Sequence, residues 1–123
     1  MLAGRDLVLA YRDGVGELRA VDGVTLEVGP GDFAGILGPS GSGKSSLLYL
    51  LAGLKQPTSG SVCFEGRDLA EFTTDALAGL RRERFGFIFQ NHFLINHLTA
   101  LENVRVQGAG DAERLLEELG LGR

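Results

Sequence analysis

The chain has 123 residues, enough for one domain, and its hydrophobic share of 44% and charged share of 23% are those of an ordinary globular protein. A net charge of −4 argues against a general nucleic-acid binder, which carries a basic face. The single cysteine, Cys63, excludes an internal disulfide, has no metal-ligand spacing around it, and reads as a small buried hydrophobe in a strand, which fits a reducing, cytoplasmic compartment.

Residues 6–11 (DLVLAY) read as a strand, and Asp13-Gly14 marks a turn after it. Residues 24–28 (VTLEV) alternate apolar and polar, the pattern of a half-buried strand. After the turn at 29–32 comes FAGIL (33–37), apolar throughout, as expected of a strand buried on both faces. A glycine-rich loop at 38–43 leads into a predicted helix over 44–54, where Leu47, Leu51 and Leu54 share a face and Leu48 and Leu50 widen it. Gly53, Pro57 and Gly60 close that helix. The stretch SVCFEGRDL (61–69) suggests a strand and turn, and residues 75–84 a helix whose basic end (RRER, 81–84) complements the helix dipole. FGFIF (85–89) reads as a second buried strand. Thr99 and Glu102 have capping-box spacing, and Asp111 caps a predicted helix over 111–119. The longest apolar run, 47–54, is far short of the roughly 20 residues of a membrane span, and the start lacks a signal-peptide core, so any membrane role is expected to be peripheral.

The chemistry concentrates at GPSGSGKS (38–45), which fits G-x-x-x-x-G-K-[ST] at every fixed position. Polyphosphate packs several negative charges into a small volume. Gly38, Gly41 and Gly43 let backbone N–H groups curl round it, and the helix that follows aims its positive end at the same place. Lys44 supplies a cation for the β- and γ-phosphates, and the Ser45 hydroxyl is placed to ligate Mg²⁺. Pro39, Ser40 and Ser42 complete the loop, and Ser46 adds a second hydroxyl after the lysine. The pattern therefore predicts a site for a nucleoside triphosphate, ATP or another, with Mg²⁺.

Three further stretches choose among P-loop proteins: GLKQPTSGSVCFEGRDL (53–69), LRRERFGFIFQ (80–90) and HLTALENV (97–104). Together with GPSGSGKSSLL they resemble the ATP-binding subunit of ABC transporters, over essentially the whole chain. The wording of the last two is most similar to the lipoprotein-release and macrolide-export subtype. The resemblance implies an α/β fold: a P-loop NTPase, the ABC-type ATPase core with an antiparallel β subdomain. It implies one domain over 1–123, with an antiparallel region at 1–32, a core at 33–90 and the start of a helical subdomain at 91–123. It implies that Tyr11 stacks on adenine with Val21 against the same ring. Gln90 becomes the glutamine that contacts Mg²⁺ and the attacking water. Ser46 stands where the family usually has threonine, and the hydroxyl is kept.

The resemblance further implies a transmembrane permease subunit met by residues 91–106, with Phe93, Leu94, Ile95 and Leu98 as the docking surface, although LINH (94–97) departs from the more usual proline-containing version. A second ATP-binding subunit, no nucleic-acid partner, and a place at the cytoplasmic face of the membrane follow. His92 and His97 read as polar loop residues; neither is the family's switch histidine.

From residue 91 onward the sequence holds no LSGGQ signature, no apolar strand ending in paired acids, and no switch histidine. On the resemblance these lie beyond residue 123, and the domain is expected to be truncated before them. The chain by itself is expected to bind nucleotide weakly and not to turn over ATP. The two apolar runs expect strand neighbours on both sides, and unpaired edges invite aggregation. The alternative reading is a non-hydrolysing nucleotide-binding module. A soluble ABC ATPase of translation or DNA repair and a small kinase fit less well: the first by the LTALENV segment and the lack of a basic insertion, the second by the lack of a second-substrate site.

Overall fold

The computed structural model describes residues 1–106, 108 and 110–122. The chain forms two compact units, Met1–Arg81 and Arg82–Arg123.

The first unit is built on a four-stranded antiparallel sheet in the order β2-β1-β3-β4. β1 (Leu2–Arg12) and β2 (Glu17–Val28) form a long hairpin, wider than the two predicted strands. Asp13 makes its turn: the carboxylate accepts from the N–H groups of Val15 and Gly16. Beside the turn Glu17 accepts from Arg19 and Arg12, whose hydrogen bonds hold its carboxyl below the usual range. β3 (Ser59–Phe64) pairs with the other edge of β1, and the short β4 (Arg67–Asp68) with β3. Cys63 is in β3 as expected, though only half-buried.

Helix α1 (Lys44–Leu51) packs on this sheet. Its Leu47, Leu50 and Leu51 join Leu7, Leu9, Val21, Val62 and Leu69 in one buried cluster. Each such leucine contributes about 1.5–3 kcal/mol by leaving water. The helix ends three residues before the predicted position. Gly53 turns left-handed at φ +67°, its N–H reaches the Leu50 carbonyl at 3.0 Å, and the Leu54 N–H reaches the Tyr49 carbonyl at 2.9 Å. That double closure satisfies the last carbonyls, and glycine alone takes the turn without strain. Leu48 and Leu54 are left partly exposed. A 3₁₀ turn, Leu69–Glu71, follows β4, and α2 (Thr74–Arg84) spans the division between the units. Arg81 of α2 donates to the Gly53 carbonyl at 2.8 Å.

The second unit holds α3 (Ala100–Val106) and α4 (Ala112–Glu118), linked by an Arg105–Glu113 ion pair. Both predicted caps form. The Thr99 hydroxyl accepts from the Glu102 N–H at 3.2 Å, while Glu102 accepts from the Thr99 N–H at 2.7 Å. Asp111 accepts from the Arg114 N–H at 3.0 Å.

The expectation for the two apolar runs is corrected. Neither 33–37 nor 85–89 is part of a β-ladder. Phe33, Leu37 and Ile88 are almost fully exposed; only Ile36 packs against the core. An apolar run becomes a strand only beside an unpaired strand edge that can exchange N–H and C=O bonds with it. Among the described residues the sheet closes as β2-β1-β3-β4, with neither run in it.

Candidate nucleotide site

The glycine-rich loop is held against the sheet at its last glycine. Gly43 is the N-cap of α1, left-handed at φ +90°. A Cβ there would collide with the carbonyl oxygen of Ala20 in β2, so only glycine fits. Before it, the Ser42 N–H donates to the Pro39 carbonyl at 3.2 Å, which curls the loop into a tight turn. Gly38 faces this turn, and a Cβ on it would stand 2.6 Å from the Ser42 hydroxyl. The curl needs small residues at both ends.

The first N–H of α1 with a carbonyl partner one turn back is that of Leu47, which reaches Gly43 at 2.9 Å. The N–H groups of Lys44, Ser45 and Ser46 precede it, and helix geometry offers them no acceptor. No side chain caps this end, and no acid lies in the first turn. The helix therefore presents positive partial charge at the loop. The Lys44 side chain folds back over it, its ammonium donating to the carbonyls of Gly38 at 2.6 Å and Pro39 at 2.8 Å. Ser40, Gly41, Ser42 and Ser45 are exposed, and Ser46 is half-buried. The donor set is thus all cation and N–H, with hydroxyls beside it, which fits an anionic polyphosphate. Among the described residues no cluster of His, Cys, Asp and Glu could hold a metal by itself. Mg²⁺ commonly takes one or two protein oxygens and completes its shell with phosphates and water, and Ser45 can supply such an oxygen.

Tyr11, next to last in β1, stands opposite Leu18 and is 45% exposed, so its ring is open to a ligand. Val21 is not: at 4% exposure it belongs to the core cluster with Leu9, its cross-strand partner. Next to it in β2, Ala20 supports the glycine loop, so one strand serves both loop and core.

Gln90 lies in the second unit, in an exposed loop, and residues 85–89 directly before it form no strand. The loop continues as an aromatic chain: Phe87 and Phe89 lie 4.5 Å apart, and Phe89 meets Phe93 edge-on at 5.0 Å. Phe93 is left-handed at φ +47°, an outlier for a bulky residue. Phe93 and Leu94 are each 66% exposed, Ile95 less so, and Leu98 is half-buried. The next turn is clamped by Asn103 of α3. Its side-chain N–H₂ donates to the carbonyls of Ile95, Leu98 and Thr99, and its oxygen accepts from the Ile95 N–H at 2.8 Å. His92 and His97 are exposed in this loop.

The structure therefore brings the glycine loop, Lys44, Ser45, Ser46 and Tyr11 to the surface of one unit, buries Val21 in its core, and carries Gln90 on the other. Sequence reasoning missed Asn103 and Lys55. Asn103 sits four residues after the capping threonine, where a short amide can reach back over the first turn. Lys55 has no sequence signal; its contact with Tyr11 spans 44 positions.

The profile of the family described as "ABC transporter" matches residues 21–123. The macrolide export ATP-binding/permease protein MacB 1/2 of Paracoccus denitrificans is 45% identical over 122 residues, 91% of this chain and 18% of the relative. The pyoverdine export ATP-binding/permease protein PvdT of Pseudomonas entomophila is 47% identical over 85% of this chain and 18% of its own length. The chain thus spans about a fifth of the length of the curated relatives it matches. Among solved structures, the dimeric bacterial ABC transporter cassette MJ0796 superposes with a TM-score of 0.88 at 35% identity, over 98% of this chain and 56% of that one. The same cassette in a post-hydrolysis state bound to ADP and Pi gives 0.87. The α/β ABC-ATPase fold anticipated from the sequence is therefore the fold of this chain, and the chain belongs to the ABC transporter family.

Proposed function

We propose that this chain is the nucleotide-binding part of an ABC-type ATPase that takes MgATP and powers movement of a substrate through a membrane partner. The observation that carries the reading is the uncapped N-terminus of α1 behind a glycine-lined loop, with the Lys44 ammonium lying across the loop carbonyls. The N–H groups of residues 44–46 and Lys44 would hold the phosphates. Gly38, Pro39, Ser40, Gly41, Ser42 and Gly43 form the wall that lets them approach, and Ser45 and Ser46 supply hydroxyls, Ser45 toward Mg²⁺. The exposed Tyr11 ring offers an apolar face for adenine. Mg²⁺ would neutralise phosphate charge and support in-line attack by water. Gln90 would orient that water and contact the ion.

The exposed 93–98 turn suits a permease subunit. Large apolar side chains stand out from it, Phe93 is held in a strained backbone conformation, and Asn103 fixes its shape. A second ATP-binding subunit accords with the dimeric cassette it resembles. No helix among the described residues is long and apolar enough to cross a membrane, and the role proposed is peripheral, at the cytoplasmic face.

Equilibrium binding of ATP to Lys44→Ala tests the reading. Loss of the ammonium should weaken ATP by at least about tenfold, and an unchanged affinity would remove the phosphate cradle. In the same series Gln90→Ala should keep ATP binding and slow turnover of the intact transporter ATPase. Unchanged turnover would take Gln90 out of the site.

A further inference from the structure

Lys55, four residues beyond the end of α1, reaches back to Tyr11. The Lys55 ammonium donates to the Tyr11 hydroxyl at 2.7 Å. The same nitrogen is 5.3 Å from the Tyr11 ring centroid and 5.9 Å from that of Tyr49. The 5.3 Å to the centroid is nearly the sum of the 2.7 Å hydrogen bond and the ring's own centroid-to-oxygen length, so the nitrogen lies near the ring's C–O axis. The ammonium therefore sits off the hydroxyl end, close to the ring plane, and does not cover a face. Lys55 grips the ring by its edge and itself covers neither face.

The grip is built on a fixed backbone. The Lys55 N–H donates to the Tyr49 carbonyl at 3.2 Å, as part of the closure that ends α1. Three residues on, the Thr58 N–H donates to the Val8 carbonyl at 2.8 Å, and the Thr58 hydroxyl accepts from the Ala10 N–H at 2.9 Å. The segment carrying Lys55 is thus tied to α1 on one side and to the end of β1, next to Tyr11, on the other. The helix that begins at the phosphate loop ends at the anchor of the tyrosine.

We infer that Lys55 is a positioning residue for nucleotide binding: it holds the Tyr11 ring edge-on, so that the base meets a preset face. This rests on the proposed role of Tyr11 as the adenine platform. A ring held in one rotamer loses less freedom when a base stacks on it, so the effect is on affinity for the base and not for the phosphates.

The test compares ATP with inorganic tripolyphosphate by titration calorimetry, on the protein and on Lys55→Met, Lys55→Arg, Tyr11→Phe, Tyr11→Ala and the Lys55→Met/Tyr11→Phe double variant. Lys55→Met should weaken ATP about two- to fivefold and leave tripolyphosphate unchanged. Lys55→Arg should restore ATP affinity. Tyr11→Phe should match Lys55→Met, and the double variant should lose no more than either single one. If Lys55→Met binds ATP like the unaltered protein while Tyr11→Ala is weakened, the role of Lys55 is overturned and the platform stands. If Tyr11→Ala binds ATP normally, the platform itself is wrong. Equal loss of tripolyphosphate in Lys55→Met would make Lys55 a general charge, and an unaffected Tyr11→Phe would mean that Lys55 does not act through the hydroxyl. Should Lys55→Met fail to fold, Tyr11→Phe alone decides, since it removes the same bond from the other side.

Discussion

Replacing Gly43 by alanine should destabilise the protein well beyond the same change at Gly41. Both glycines are left-handed, at φ +90° and +79°. An L-residue in that conformation costs about 1–2 kcal/mol. At Gly41 the new methyl would meet nothing within 4 Å, so that cost stands alone. At Gly43 it would collide with the Ala20 carbonyl oxygen, a backbone atom inside β2 that cannot rotate aside. Pushing the loop off the strand adds about 1–3 kcal/mol, the usual cost of overpacking. The totals are about 1–2 kcal/mol for Gly41→Ala and about 2–5 kcal/mol for Gly43→Ala. For a unit of this size a melting midpoint falls by about 4–8 °C per kcal/mol, so the two variants separate clearly in a thermal melt. Equal shifts would refute the close approach of the loop to β2. The pair separates backbone conformation from steric contact, which no single glycine variant does.

Asn103→Ala should free the turn at 95–99 without unfolding α3, because the side chain makes its bonds to backbone groups there. Hydrogen exchange at the Ile95 amide should speed up by about tenfold, the loss of roughly one to two neutral hydrogen bonds; unchanged exchange would show the turn to be held by other contacts. The cap of α3 should respond to acid. The Thr99 N–H and hydroxyl hold the Glu102 carboxyl below its ordinary value of 4.5. A depressed pKa in the folded state means stabilisation that is complete above the ordinary value and is lost as pH falls through the lowered one. The Thr99 amide resonance should therefore titrate below pH 4.5, and Glu102→Gln should abolish that titration while keeping the cap. A titration that survives in Glu102→Gln would assign it to another group.

Much of the candidate site was legible in the sequence because its parts are local. The glycine loop, the start of α1 and the caps at Thr99 and Asp111 each depend on backbone geometry within a few residues. The hairpin turn at Asp13 is of the same kind. Gly53 was readable as a helix stop, though the register of the stop needed the closure between Leu54 and Tyr49. Tertiary structure decided what depends on residues far apart in the chain. FAGIL and FGFIF have strand composition, yet a strand exists only where another strand edge accepts its hydrogen bonds, and the sheet pairs β1 with β2 and β3 instead. Val21 faces the core because the register of β2 sets it opposite Leu9. Lys55 meets Tyr11 across 44 positions because α1 and β1 bring their ends together. Spacing in sequence can dictate a loop that wraps an anion; which side chains a strand buries, and which cation finds a ring, follow from pairing and packing that no local pattern contains.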